Sequence, residues 1–255
     1  MTIRTNRERL EQKHFDILAR RYDENYGYTK SYTQYKIRKK IKAFLKFIRK
    51  GRPPRSLNIL EIGCGTGEYT KQLAPVCKND RLTAIDLSSK MIALARRKTA
   101  GSKNIRYKVT SAYSTGYHDK EFDVVCAFYT LHHLDLKRVA AEIRRVLKPH
   151  GIAYFYEPNI LNPLVYLIKS TPFIKRAVGD SANEWAINPW KIKKAFKGFK
   201  LINITFTGFI PPLYFLPLKM MILLDRLTDK IGILPGIKIL GGSLEVIFTK
   251  KNQLK

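Results

Sequence analysis

The sequence predicts an α/β fold built on a mostly parallel, seven-stranded sheet flanked by helices. Three observations point there. From Ser56 to Glu157, short apolar runs alternate with segments of helical spacing, the pattern of strands joined by crossover helices. Phe122 to Phe128 is almost continuously apolar, as a parallel strand covered on both faces must be. The first apolar run ends in a glycine cluster, Gly63, Gly65 and Gly67, immediately before a helical pattern.

The elements follow in order. Ile37, Ile41, Phe44, Leu45 and Ile48 form the apolar stripe of a basic amphipathic helix, with lysines and arginines filling its other side. Leu57 to Ile62 reads as the first strand and Tyr69 to Val76 as the helix after it. Leu82 to Leu87 is a strand, Ser88 to Arg97 a helix with Met91, Leu94 and Ala95 on one side, and Ile105 to Val109 a third strand. The fourth strand, Phe122 to Phe128, precedes a helix over Leu136 to Leu147; Lys148-Pro149-His150-Gly151 stops that helix, and Ile152 to Tyr156 is the fifth strand.

Leu201 to Thr207 and Ser243 to Thr249 are the last two strands, and the 35 residues between them are too many for a hairpin loop. This insert, 208–242, carries a helix from Met220 to Ile231 among Pro211, Pro212, Pro217 and Pro235. The last strand is expected to run antiparallel. The chain therefore divides into a basic N-terminal helical lid (1–55), a Rossmann-like core (56–157) and a C-terminal substrate-side region (158–255).

Composition narrows the function. With 45% hydrophobic and 11% aromatic residues over 255 positions, the chain is neither disordered nor a disulfide miniprotein. Cys64, Cys77 and Cys126 are odd in number and have no short metal-type spacing, so they read as reduced thiols and no metal site is expected. The longest apolar run, Gly208 to Leu224, is interrupted by prolines and Lys219 and is not a membrane span. The charged N-terminus lacks the apolar region of a secretory signal, so a cytoplasmic location is expected. The formal charge is +28; residues 1–55 hold 17 basic and 5 acidic residues, and 158–255 hold 15 and 5. Such flanks attract anionic lipid, nucleic acid or acidic substrates, and charge alone does not choose among them.

The glycine-rich turn lets backbone approach a ligand closely, and the following helix offers free N–H groups. Asp86 ends the second strand 19 residues beyond Gly67, where a carboxylate can accept from both hydroxyls of a ribose. A dinucleotide or an adenosyl cofactor would suit that pair.

The motifs together resemble the class I S-adenosylmethionine-dependent methyltransferases, in the small-molecule and lipid branch that includes quinone-biosynthesis enzymes. The resemblance covers residues 15–157. It is carried by Glu61-Ile62-Gly63-Cys64-Gly65-Thr66-Gly67, Ala84-Ile85-Asp86-Leu87-Ser88, Phe122-Asp123-Val124-Val125 with Leu131-His132-His133-Leu134, and Arg145-Val146-Leu147-Lys148-Pro149-His150-Gly151. It implies S-adenosyl-L-methionine as cofactor and S-adenosyl-L-homocysteine as product. By that resemblance Gly63, Cys64, Gly65 and Gly67 wrap the methionine portion, and Glu61 reaches its amino group. Asp86 holds the ribose, Leu87 and Met91 pack on the adenine, and Phe128 contributes backbone near the sulfonium. Ser111-Ala112 stands where many relatives carry Asp-Ala, so the hydroxyl of Ser111 replaces a carboxylate acceptor for the adenine amino group. His150 stands where glycine is commoner. Phe15 to Asp23 is similar to a lid helix, from which Tyr22 or Tyr26 could close over the ligand.

Methyl transfer needs alignment and, for a protonated nucleophile, a base. His133 and Glu157 are the preferred catalytic pair, with Tyr129 and Tyr156 on the substrate side, because these residues follow the fourth and fifth strands. The insert reads either as an apolar cap that dips into an anionic membrane surface at the inner face, or as a homodimer interface over a soluble substrate. A small-molecule or lipid acceptor is expected. An RNA-modifying role ranks below it, since Cys126-Ala127-Phe128-Tyr129 stands where a base-recognising signature would lie. A cofactor-binding protein without turnover is the remaining alternative.

Overall fold

The computed structural model describes residues 5–50, 56–178, 180–181, 184–211, 213–232, 234 and 236–251. Pro212 and Pro235 of the insert lie outside the described residues. In chain order the helices before the sheet are α1 (Asn6–Leu18), α2 (Tyr22–Asn25) and α3 (Ser31–Arg49). Then come β1 (Asn58–Ile62), α4 (Glu68–Val76), β2 (Arg81–Asp86), α5 (Ser89–Lys98), β3 (Ile105–Val109) and β4 (Phe122–Phe128). They are followed by α6 (Leu136–Val146), β5 (Leu147–Pro158), α7 (Pro163–Ser170), α8 (Pro172–Ala177), α9 (Pro189–Ala195), β6 (Phe199–Thr207), α10 (Leu218–Ile231) and β7 (Ser243–Lys250).

These seven strands form one sheet in the order β3-β2-β1-β4-β5-β7-β6. The first five strands pair in parallel, and β7 runs antiparallel to both β5 and β6. The order reverses beside β1, so β1 and β4 diverge at their carboxyl ends and leave the crevice in which such sheets bind ligands.

Both faces are covered, which is why β4 is buried along its whole length. On one face Ile37, Ile41, Phe44 and Ile48 of α3 pack with Leu73 of α4 and Tyr154 of β5. The edge of the Phe44 ring meets Tyr154 at 4.9 Å and Phe128 at 5.9 Å. On the other face Val139 and Ile143 of α6 and Ile192 and Phe196 of α9 pack on Phe155 and Phe248. The basic side of α3 stays at the surface or turns to the insert. There Asp225 of α10, its side chain 1% exposed, accepts Lys39 at 2.6 Å and is also bonded by Lys36. That pair of lysines offsets the cost of burying the carboxylate and ties the insert to the N-terminal region. None of the described helices is long and apolar enough to cross a membrane.

Two local expectations change. The turn at Lys148-Pro149-His150-Gly151 lies within β5, because Leu147 pairs with Phe122 as soon as α6 ends. The register then jumps so that Ile152 faces Val124, and His150 takes up the slack at φ 60°. The lid, read from Phe15 to Asp23, is two helices: α1 ends at Leu18, and α2 starts at Tyr22 after a turn.

Candidate functional site

At Gly63 the loop after β1 passes so close to Thr130, in the turn after β4, that a side chain is excluded. Gly63 has φ +67°, and a Cβ there would stand 2.2 Å from Thr130 Cγ2. Among the described residues the only atom within 4 Å of such a Cβ at Gly65 is Tyr22 Cε1, at 3.9 Å, so this glycine faces open space below Tyr22. Asp86 fixes the loop: its Oδ2 accepts the Gly65 N–H and its Oδ1 the Ser88 N–H, each at 2.9 Å. Burial pushes the Asp86 carboxyl up, against the pull of those backbone donors.

Above this loop lies a first cavity of about 100 Å³, lined by Gly63, Gly65, Asp86, Leu87, Met91, Ala112, Tyr22, Tyr129 and His133. The remaining expected cofactor residues stand behind that wall. Glu61 lies beneath the loop, where its carboxylate accepts the Thr70 hydroxyl at 2.7 Å and burial lifts its pKa to about 8. Cys64 is buried, and burial pushes its thiol up, as expected of an inert structural thiol. Gly67 starts α4 at φ 84°. Phe128 does not line the cavity; its ring stacks on Tyr69 with centroids 4.5 Å apart.

The lid contributes more than aromatics. Three of its carboxylates accept from three hydroxyls, one on each loop that follows β1, β2 and β3. The Thr66 hydroxyl donates to Asp23 at 2.6 Å, the Ser88 hydroxyl to Asp16, and the Ser111 hydroxyl to Glu8. Glu8 also closes a capping box with Thr5 at the start of α1. Ser111 therefore stands as a donor to the lid rather than as a free acceptor in the cavity, and Glu8 lines the cavity where Ser111 does not.

The expected pairing of His133 with Glu157 is replaced by a different one. Glu157 is fully buried and lines neither cavity. Its carboxylate accepts the N–H groups of Thr130, Leu131 and His132 at 3.0, 2.8 and 3.3 Å, and lies 2.6 Å from Nδ1 of His132. With its lone pairs so engaged, Glu157 holds the turn after β4. His132 Nε2 lies 3.2 Å from Glu184, which Lys169 also bonds, and Lys169 meets Asp180 at 2.6 Å. Burial opposes charge on His132, but the two carboxylates prevail and lift its pKa to about 9. Glu184 in turn is held well below the usual range despite its burial. His132, His133 and Glu184 bring metal-type ligand atoms within 4.8 Å of one another. Both ring nitrogens of His132 already face carboxylates, so the cluster is satisfied as a charge network.

His133 differs from its neighbour. Burial, then the charge on His132, lowers its pKa, so the ring is neutral near pH 7. Its Nδ1 lies 3.3 Å from Glu11 without the alignment of a hydrogen bond. Its ring meets Phe15 edge-on at 5.0 Å.

His133, Tyr22 and Tyr129 also line a second cavity of about 780 Å³, so the two share a wall. Tyr26 lines only the larger one, beside Tyr28, Ile37, Leu164, Ile168, Phe209 and Tyr214. Tyr129 is held at φ 55°, a conformation rare for an aromatic residue, by its N–H donating to the Tyr156 carbonyl at 2.6 Å and its hydroxyl 2.7 Å from Ser243 Oγ. Tyr156 sits behind it, its hydroxyl 3.2 Å from Thr207 Oγ1. Lys40 of α3 places its ammonium 4.9 Å from the Tyr129 ring centroid and 5.4 Å from that of Tyr156, and burial lowers its pKa to about 8.

Sequence reasoning missed Glu8, Glu11, Lys40 and Glu184. Only Glu8 carried a local signal, the Thr5-x-x-Glu8 capping pattern. Lys40 was hidden among the lysines of α3, and Glu11 and Glu184 lie far in sequence from the histidines they meet.

Comparison with known proteins agrees with this architecture. Residues 60–155 match the family described as a methyltransferase domain. An uncharacterized protein of Methanocaldococcus jannaschii is 33% identical over 169 residues, 65% of this chain and 58% of that protein. The demethylmenaquinone methyltransferase of Staphylococcus aureus (strain MRSA252) is 30% identical over 158 residues, 60% of this chain and 63% of that enzyme. The chain thus spans about three-fifths of the length of these two relatives. The N-methyltransferase NodS from Bradyrhizobium japonicum WM9, solved with S-adenosyl-L-homocysteine, shares the fold. Its TM-score is 0.56 at 16% identity, over 84% of this chain and 87% of that one. Residues 60–155 therefore match a methyltransferase domain, and the chain resembles a demethylmenaquinone methyltransferase over 60% of its length.

Proposed function

We propose that this chain transfers the methyl group of S-adenosylmethionine to a lipophilic small-molecule acceptor, with S-adenosylhomocysteine as the other product. The observation that carries this reading is the meeting of two unlike cavities at Tyr22, Tyr129 and His133. One has the carboxylates of Glu8, Glu11 and Asp86, a glycine turn and a short apolar wall; the other is large and mainly apolar.

The cofactor supplies an electrophilic methyl carbon on a sulfonium centre. Asp86 would hold the ribose hydroxyls, and the side-chain-free approach at Gly63 and Gly65 would admit the methionine portion. Leu87, Met91 and Ala112 would face the adenine, and Glu8 would offer its amino group the carboxylate that Ser111 does not. Folding of α1 and α2 over the ligand would exclude water and complete both cavities at once. The neutral imidazole of His133, which borders both cavities, would accept the proton of a hydroxyl, phenol or enol.

The rim of the larger cavity supports a lipophilic acceptor. Leu164, Tyr214, Ile237 and Leu240 line it and are exposed, and on neighbouring elements Phe173 and Phe215 are 82% and 80% exposed. An apolar mouth on a strongly basic chain fits entry from an anionic bilayer surface. The test is incubation with methyl-labelled S-adenosylmethionine and anionic vesicles carrying a bacterial lipid extract. Label in the organic phase is the expected result. Label in added RNA instead, or in no fraction, would overturn the proposal.

A further inference from the structure

The charged groups around the larger cavity can be matched one by one. Lys36 is bonded by Asp225, Lys169 by Asp180 and Glu184, and His132 by Glu157 and Glu184. Lys40 lines the same cavity, and among the described residues no carboxylate stands within ion-pair distance of it. Its ammonium instead lies over Tyr129 and Tyr156, two rings at the carboxyl ends of β4 and β5 where the cavities meet. Ring faces attract a cation but replace only part of the hydration that burial removes. Burial lowers the Lys40 pKa and outweighs the pull of the Asp225 carboxylate, whose ion pairs are made with Lys36 and Lys39.

Ile37, Phe209, Ile168, Leu164 and Leu240 line the same cavity as Lys40, and Leu164 and Leu240 are exposed. We infer that the larger cavity takes an amphiphile with one anionic oxygen group, a carboxylate or phenolate, seated on Lys40 and with its apolar part extending to the rim. A neutral lipid would leave the ammonium without an ion pair, and a polyanion would meet Asp180 and Glu184 in the lining of the same cavity. Among the described residues that line it, Lys40 is the lysine without an ion pair, and a single anion satisfies it. The inference rests on the proposed function only in taking this cavity as the acceptor's, and its test requires no methyl transfer.

The experiment compares binding of decanoate and decan-1-ol, which share a tail and differ in the head, by calorimetric titration. Wild-type protein is expected to prefer decanoate by about ten-fold or more, the range of a hydrogen bond to a charged group. Lys40→Met should abolish that preference while retaining decanol binding, and Lys40→Arg should keep it. Lys36→Met is the control for general basicity and should leave the preference in place. Equal wild-type affinity for acid and alcohol would overturn the inference even if Lys40→Met did not fold. So would a preference that survives Lys40→Met or disappears in Lys36→Met. Selective binding without methyl transfer would overturn the proposed function alone.

Discussion

The hydroxyl of Ser111, on the loop after β3, donates to the carboxylate of Glu8, 103 residues earlier in the chain on the lid helix α1. The contact joins the wall of the first cavity to the element that covers it. With Asp16 on Ser88 and Asp23 on Thr66, it means that each of the loops after β1, β2 and β3 is tied to α1 or α2 by one hydroxyl–carboxylate bond. Glu8→Ala is expected to weaken S-adenosylhomocysteine binding by about ten-fold and to speed proteolysis at the turn after Leu18. Unchanged affinity together with unchanged cleavage would show that the lid closes without this latch.

Asp86 has two tasks, since the carboxylate that faces the cavity also holds the glycine loop through Gly65 and Ser88. Asp86→Ala should lower cofactor affinity by more than about 100-fold and cost about 1–3 kcal/mol of stability. Calorimetric titration and urea unfolding read the two effects separately. An affinity within a few-fold of wild type would remove Asp86 from the binding site.

Glu157 and His133, close in space at the sheet's carboxyl end, should fail in different ways. Removing the Glu157 carboxylate strands three N–H groups and the charged His132, so Glu157→Ala should destabilise the fold by about 3–5 kcal/mol in urea unfolding. His133→Gln should leave cofactor affinity within a few-fold of wild type and lower the transfer rate by about 100-fold or more. A stable Glu157→Ala protein would contradict the positioning role.

Glu61 makes stability depend on pH. Its pKa rises from the model-compound value of 4.5 to about 8 in the fold, because burial disfavours the carboxylate. The folded chain therefore holds a proton that the unfolded chain loses above pH 4.5. Stability from this site is fully present below pH 4.5 and is lost as pH rises toward 8, by a few kcal/mol in all. Glu61→Gln keeps an oxygen to accept from Thr70 and should flatten that part of the profile. An identical pH dependence of urea unfolding in both proteins would contradict the shift.

Much of the core was legible because its strands are short, apolar and bounded by glycine, proline or a polar turn. Buried strands such as Phe122–Phe128 declare themselves by composition, and Gly63 and Asp86 by their places at two strand ends. What remained hidden was produced by tertiary contact. Sequence reasoning preferred His133 to His132 without a partner for either, and the 3₁₀ turn sets His132 against Glu157 and His133 at the wall shared by the two cavities. Lys40 is one of eight basic residues between Lys36 and Lys50, and helical rotation alone places it over two tyrosine rings. Glu8 completes the capping box of α1, and its second role, the bond to Ser111, joins residues 103 positions apart.

The most direct test of the central claim is calorimetric titration of S-adenosylhomocysteine into the wild-type chain. The account predicts one site with micromolar affinity, of the order of −8 kcal/mol. No measurable binding, with the fold intact by circular dichroism, would contradict the reading of the glycine loop, Asp86 and the lid as a cofactor site.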